Sequence, residues 1–167
     1  MIKLILLIAL VIILGIAVFY TVRNFHEYTL VHKNSMSFME SLNLTGMPIV
    51  SFSCNGKILN FLLDTGCNDS IINTSVIKNI ECEKLNKTTL TYGINGEDIK
   101  CEFYNIHLIY KDIEFVSPFI SADLTEAFKK IKNDYGVQLH GFLGSKFFKK
   151  YKYVIDFNKF IAYSKAK

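Results

Sequence analysis

The chain opens on an unbroken apolar run from Leu4 to Tyr20, LILLIALVIILGIAVFY, which Thr21 and Val22 extend as far as Arg23. No polar face interrupts it, so a helix made from it is apolar all round, and its length suits a bilayer core with little tilt. Lys3 supplies the short positive flank of a signal peptide as well. The run is long for a signal's apolar region, however, and no small-x-small cleavage pattern follows. We read residues 1–23 as a transmembrane anchor that meets the lipid bilayer through residues 4–22. Lys3 on one side, and Arg23 and Lys33 on the other, do not fix the orientation; the lean is toward an extracytoplasmic domain. Residues 24–46 have mixed polarity and a weak helical pattern, and read as a stalk. The domain is expected to fill 47–167.

Beyond the stalk the pattern changes to period two. Pro48 to Cys54 alternates, Asn55-Gly56 is a strong hairpin signal, and Lys57 to Leu63 returns. Ser70 to Asn73 reads as a third short strand, giving the start of a β-meander. Thr88 to Tyr92 and Glu97 to Phe103 form a second hairpin with polar, β-branched arms and the tip Gly93-Ile94-Asn95-Gly96, a composition suited to a projecting flap. Ile106 to Tyr110 and Ile113 to Val116 continue the sheet around Lys111-Asp112.

Helical spacing appears in two places. Leu124, Ala127, Phe128 and Ile131 share one face of a helix over Leu124 to Tyr135, with Asp123 as its cap, Glu126 completing a capping box and Gly136 as its stop. A second helix is expected over Ser145 to Lys150. Tyr153 to Phe157 and Phe160 to Tyr163 then read as a closing strand pair. The fold class is all-β, a single barrel with one or two short helices behind an N-terminal transmembrane helix.

Composition adds limits. The chain has 167 residues and a net charge of +4, with lysines interleaved among acidic residues. The densest cluster, Lys146, Lys149, Lys150 and Lys152, reads as a solvated basic face, and no nucleic-acid partner is expected. The cysteines Cys54, Cys67, Cys82 and Cys101 form no Cys-x-x-Cys pair and have no histidine at ligand spacing, so neither a metal nor another cofactor is expected. A domain of this size does not need disulfides. His26, His32, His107 and His140 read as surface or boundary residues. The Asn-x-Ser/Thr sequons at Asn43, Asn68, Asn73 and Asn86 reflect an Asn-rich composition.

The candidate chemistry lies at Asp64-Thr65-Gly66. The triplet is weak alone, but here the Asp stands at the end of the apolar strand Phe61-Leu62-Leu63 and before another apolar strand. Leu62-Leu63-Asp64-Thr65-Gly66-Cys67 resembles the active-site loop of the retropepsin-like aspartic proteases, and the hairpin tip lies a suitable distance downstream. Phe142-Leu143-Gly144 is similar to that family's hydrophobic-hydrophobic-glycine motif. The run from Gly141 to Phe148 and on to Phe157 is most like bacterial members. The resemblance covers roughly Met47 to Tyr163, in family order.

What the resemblance implies is a retropepsin-like barrel acting as a membrane-anchored aspartic endopeptidase on a peptide or protein substrate. The single Asp-Thr-Gly implies a homodimer, with one Asp64 per subunit at a two-fold axis. Asp64 is then the acid/base carboxylate. Thr65 fixes the two loops across the axis, Gly66 admits the substrate backbone, and Tyr92, Gly93, Ile94, Asn95 and Gly96 form the flap. Phe142, Leu143 and Gly144 support the loop, with Gly144 behind it. Two departures stand out. Cys67 replaces the usual Ala or Ser and makes the site a candidate for oxidation. Ser145-Lys146 departs from the family pattern, so the family's dimer salt bridge is not expected. The alternative reading is a catalytically silent, membrane-anchored peptide-binding or assembly module on the same fold.

Overall fold

The computed structural model describes residues 2–33, 35–92 and 98–164. The chain divides into two compact units, Met1–Ser35 and Met36–Lys167. The first is the helix α1 (Ile2–Lys33), in which Ile8–Phe25 is long and apolar enough to cross a membrane. The helix continues beyond the apolar run, so residues 24–33, expected as stalk, are helical.

The second unit is mostly β-structure. It begins earlier than the expected Met47, because residues 36–46 are built into it. Met36 and Phe38 are buried, and β1 (Met36–Ser37) forms a strand pair far along the chain. The short helix α2 (Met39–Thr45) follows and ends on Gly46, whose φ of 72° gives the left-handed stop. In sequence this segment is too short and mixed to show a period, and it is ordered by what it packs against.

Next come β2 (Ile49–Cys54) and β3 (Lys57–Leu63), joined by Asn55 and Gly56 at φ of 49° and 75°. Positive φ at both central residues is what a tight hairpin with the native twist requires. In β3 the residues Leu59, Phe61 and Leu63 point inward and are buried. The chain continues through β4 (Ser70–Asn73), α3 (Thr74–Ile77), β5 (Glu83–Tyr92), β6 (Asp98–Tyr110) and β7 (Ile113–Ala122). It then forms α4 (Thr125–Tyr135), β8 (Gly141–Leu143), α5 (Ser145–Lys150), β9 (Tyr153–Asp156) and β10 (Ile161–Ser164).

The large sheet has the order β2-β3-β8-β4-β7-β6-β5, and a β2–β6 pairing at Ser53 and Ile109 closes it. The strands β2, β3, β8, β4, β7 and β6 thus form a closed six-stranded barrel, with β5 attached outside the ring. The expected meander is corrected here. β4 does not pair with β3, because β8 lies between them, parallel to β3 and antiparallel to β4. Among the described residues the unit also carries four short helices rather than one or two, since α2 and α3 add to α4 and α5.

Aromatic side chains fill the barrel. The Phe52 ring meets those of Phe61 and Phe115 edge-on, each at 5.9 Å between centroids. Phe119, Ile72, Ile106, Leu108 and Leu143 complete the same core. A second cluster, Ile49, Phe128 and Leu139 with Leu62 and Phe142 against it, seats α4 on the outer face of the ring. The cap of α4 differs from expectation. Leu124 occupies the cap position with no side-chain bond, while the Asp123 carboxylate accepts from the Thr125 N–H at 3.0 Å. Gly136 ends the helix at φ 73°, with its N–H bonded to the Lys132 carbonyl. A separate small sheet has the order β1-β10-β9.

Candidate active site

Asp64 leaves β3 under tight backbone control. The Leu63 N–H donates to the Pro48 carbonyl, and the Asp64 N–H donates to the Leu143 carbonyl at 3.0 Å. The chain then turns sharply. The Cys67 N–H reaches back to the Asp64 carbonyl, and the Gly66 N–H donates to Asp64 Oδ1 at 2.9 Å. A Cβ on Gly66 would lie 3.2 Å from that same Oδ1, so the turn brings backbone and carboxylate as close as a glycine comfortably allows. Asp64 is half-buried, while Thr65 and Gly66 are exposed beside it.

The far side of the loop is attached to the β8–α5 junction. Ser145 donates its N–H to the Cys67 carbonyl at 2.8 Å, and Lys146 donates its N–H to the Asn68 carbonyl at 3.0 Å. The Gly144 N–H donates to the buried Ser70 hydroxyl at 3.1 Å. Lys146 Nζ bonds both oxygens of Asp69, at 2.8 and 2.9 Å. Gly144 is required at its position. A Cβ there would lie 2.5 Å from the Asp69 carbonyl oxygen and 2.9 Å from that of Asn68. Phe142 and Leu143, expected as support, are strand residues of β8 paired with Leu62 and Leu63. The structure therefore brings Asp64, Thr65, Gly66, Cys67, Leu143 and Gly144 into one neighbourhood.

Cys67 is half-buried in the loop. Burial pushes its thiol above the usual cysteine range, and the nearby Asp64 and Asp69 carboxylates push in the same direction. That favours the protonated, less reactive thiol. All four cysteines are free thiols.

The second hairpin is longer than its sequence pattern indicated. β5 and β6 pair from Tyr92 opposite Asp98 down to Glu83 opposite Asn105, with a register shift between Lys84 and Thr88. β7 pairs with β6 only over Phe103–Tyr110, so the far part of the hairpin extends past the ring as a two-stranded ribbon. Tyr92 is the last residue of β5; Gly93, Ile94, Asn95 and Gly96 lie outside the described residues.

Three further residues support the loop: Asp69, Ser70 and Lys146. Asp69 and Ser70 carry no motif of their own in the sequence, and Lys146 reads as one lysine of a basic cluster and as a departure from the family pattern. Asp69 and Lys146 are 77 residues apart, and no local pattern links them. His140, read as a boundary residue, also has a defined role. Its Nδ1 accepts the Asn60 N–H at 2.9 Å, and its own backbone N–H donates to the Asn60 carbonyl. Burial lowers its pKa below the usual histidine range, and protonating Nδ1 would break the bond from Asn60.

Compared with family models and with curated proteins, the sequence matches none.

Proposed function

We propose that the chain is a membrane-anchored aspartic endopeptidase of the retropepsin-like kind, active as a homodimer with one Asp64 from each subunit. The observation that carries this reading is the presentation of Asp64. A half-buried carboxylate stands at a strand end, on a loop fixed by its own Gly66 N–H and by the β8–α5 junction, with exposed small residues beside it. A carboxylate beside exposed residues, on a loop bonded to both β8 and the start of α5, suits acid–base work on a substrate; the Asx-turn bond from Gly66 alone is one that any turn acid can make.

The chemistry explains why two chains are needed. Amide hydrolysis by carboxylates uses a pair about 3 Å apart, which cannot both ionise and so share one proton. The ionised member takes a proton from water as the water attacks, and the protonated member polarises the scissile carbonyl. The pair titrates as a unit. Within one chain the other acid of the loop, Asp69, is engaged by Lys146. A second Asp64 is the fitting partner, and an isologous contact around the loop supplies it. The hairpin of β5 and β6 would close over the peptide and exclude water. The apolar helix α1 would hold the subunits in one membrane, which raises their effective concentration.

The test is cleavage of a peptide library by the full-length chain in lipid nanodiscs, compared with Asp64→Asn. The variant is expected to lose activity by about 10²–10⁴-fold while keeping its fold. Equal cleavage by both proteins, or none by either where the dimer is shown to form, removes the reading. The second outcome would favour the silent peptide-binding module.

A further inference from the structure

We propose that the Lys146–Asp69 ion pair is a positioning device, which holds the 64–69 loop on the start of α5 so that Asp64 is presented in a single orientation. This rests on the proteolytic reading of Asp64 above. The pair joins two segments that meet only through tertiary structure. On one side are four consecutive residues, Cys67 to Asp69 of the loop and Ser70 at the start of β4, each bound to the junction. Cys67 and Asn68 accept the N–H groups of Ser145 and Lys146, Asp69 accepts Lys146 Nζ, and Ser70 accepts the N–H of Gly144. On the other side are three residues, Gly144 to Lys146, that supply all of those donors.

Within this seam the ion pair has a distinct place. The backbone bonds fix the middle of the loop, and Gly144 allows the two main chains to touch. The ion pair closes the margin, where the Asp69 side chain is 22% exposed and that of Lys146 is 55% exposed. One Lys146 Nζ lies at 2.8 and 2.9 Å from the two Asp69 oxygens, so the carboxylate is held symmetrically about a single ammonium. An exposed lysine head adds little to global stability, because either partner can turn to water when the other is removed. The loop, in contrast, loses its only charged side-chain link to α5 among the described residues. Asp64 stands on that loop, and displacements of about 1 Å at reacting groups cost on the order of 10²-fold in rate.

Lys146 is therefore a positioning residue, and its loss should separate turnover from folding. In full-length chain in nanodiscs, Lys146→Met and Asp69→Asn are each expected to lower kcat by about 10–100-fold. KM should stay within about twofold, and the thermal midpoint should hold, as expected for a surface pair. Lys146→Arg should restore most of kcat, because a guanidinium also takes both carboxylate oxygens. A Lys146→Met protein with wild-type kcat overturns the proposal. So does a fall in kcat that follows the thermal midpoint and is not rescued by arginine.

A readout without catalysis separates this claim from the proteolytic one. Amide exchange at Ser145 and Lys146 reports whether the seam is closed. In Lys146→Met it should quicken by about tenfold or more at an unchanged thermal midpoint, the mark of local rather than global opening. If the wild type cleaves nothing although dimeric, the proteolytic reading fails, and this exchange measurement still decides the positioning role. Unchanged exchange overturns it.

Discussion

Gly144 lies against the backbone of Asp69 with no space between them: a Cβ on Gly144 would stand 2.5 Å from the Asp69 carbonyl oxygen. The contact is backbone to backbone, so no flexible side chain can move aside. Gly144→Ala must push the 64–69 loop away from β8. Overpacking of this sort costs about 1–3 kcal/mol, and the main-chain contact puts this case toward the upper end. We expect a lower urea midpoint and loss of the cleavage activity proposed above. An alanine variant with unchanged stability and activity would show that the loop tolerates the displacement.

Anchoring should matter through concentration. Residues 36–167 form the compact unit that carries Asp64, while α1 would confine two such units to one membrane. Activity of the soluble fragment should fall on dilution as the dimer dissociates. Activity of the full chain in vesicles should hold at constant protein-to-lipid ratio. Identical dilution curves would argue against a role for the anchor in assembly.

His140 predicts an acid-side loss of stability. Its Nδ1 accepts the Asn60 N–H, so the neutral ring carries its proton on Nε2. Burial lowers the folded pKa below the ordinary 6.5. As pH falls below that value, the unfolded chain binds a proton on this ring that the native state resists. The unfolded state then holds more protons, and stability falls with pH from 6.5 down to the folded pKa. Above 6.5 the contribution is fully present. Urea midpoints measured from pH 5 to 8 should show a shallower acid slope in His140→Gln than in the wild type. The same slope in both would remove His140 as the source.

Cys67 should be a slow thiol. Burial first, then the Asp64 and Asp69 carboxylates, raise its pKa, so little thiolate is present near neutral pH. Alkylation by iodoacetamide, followed by mass spectrometry, should proceed more slowly than for an unstructured cysteine peptide at pH 8, and should accelerate as pH rises. This lowers the expectation of an oxidation-sensitive site that sequence alone suggests. Rapid labelling at neutral pH would restore that expectation.

Several features were legible in the sequence because they are set by neighbours along the chain. The apolar run in α1, the Asn55-Gly56 turn, the inward alternation of Leu59, Phe61 and Leu63, and the Gly136 stop each depend on local spacing and backbone preference. The loop character of Asp64-Thr65-Gly66, between two apolar strands, was legible for the same reason. What tertiary structure alone decided are the pairings between distant residues. β8 enters between β3 and β4, β2 meets β6 to close the ring, and Met36 pairs with Ala162 to bring residues 36–46 into the domain. No local period encodes a partner so far along the chain, because register is chosen by which buried faces fit together. The site divides in the same way. The sequence specified the carboxylate of Asp64 and the glycine at 144, whereas the fold selected Asp69, Ser70 and Lys146 to hold that carboxylate's loop in place.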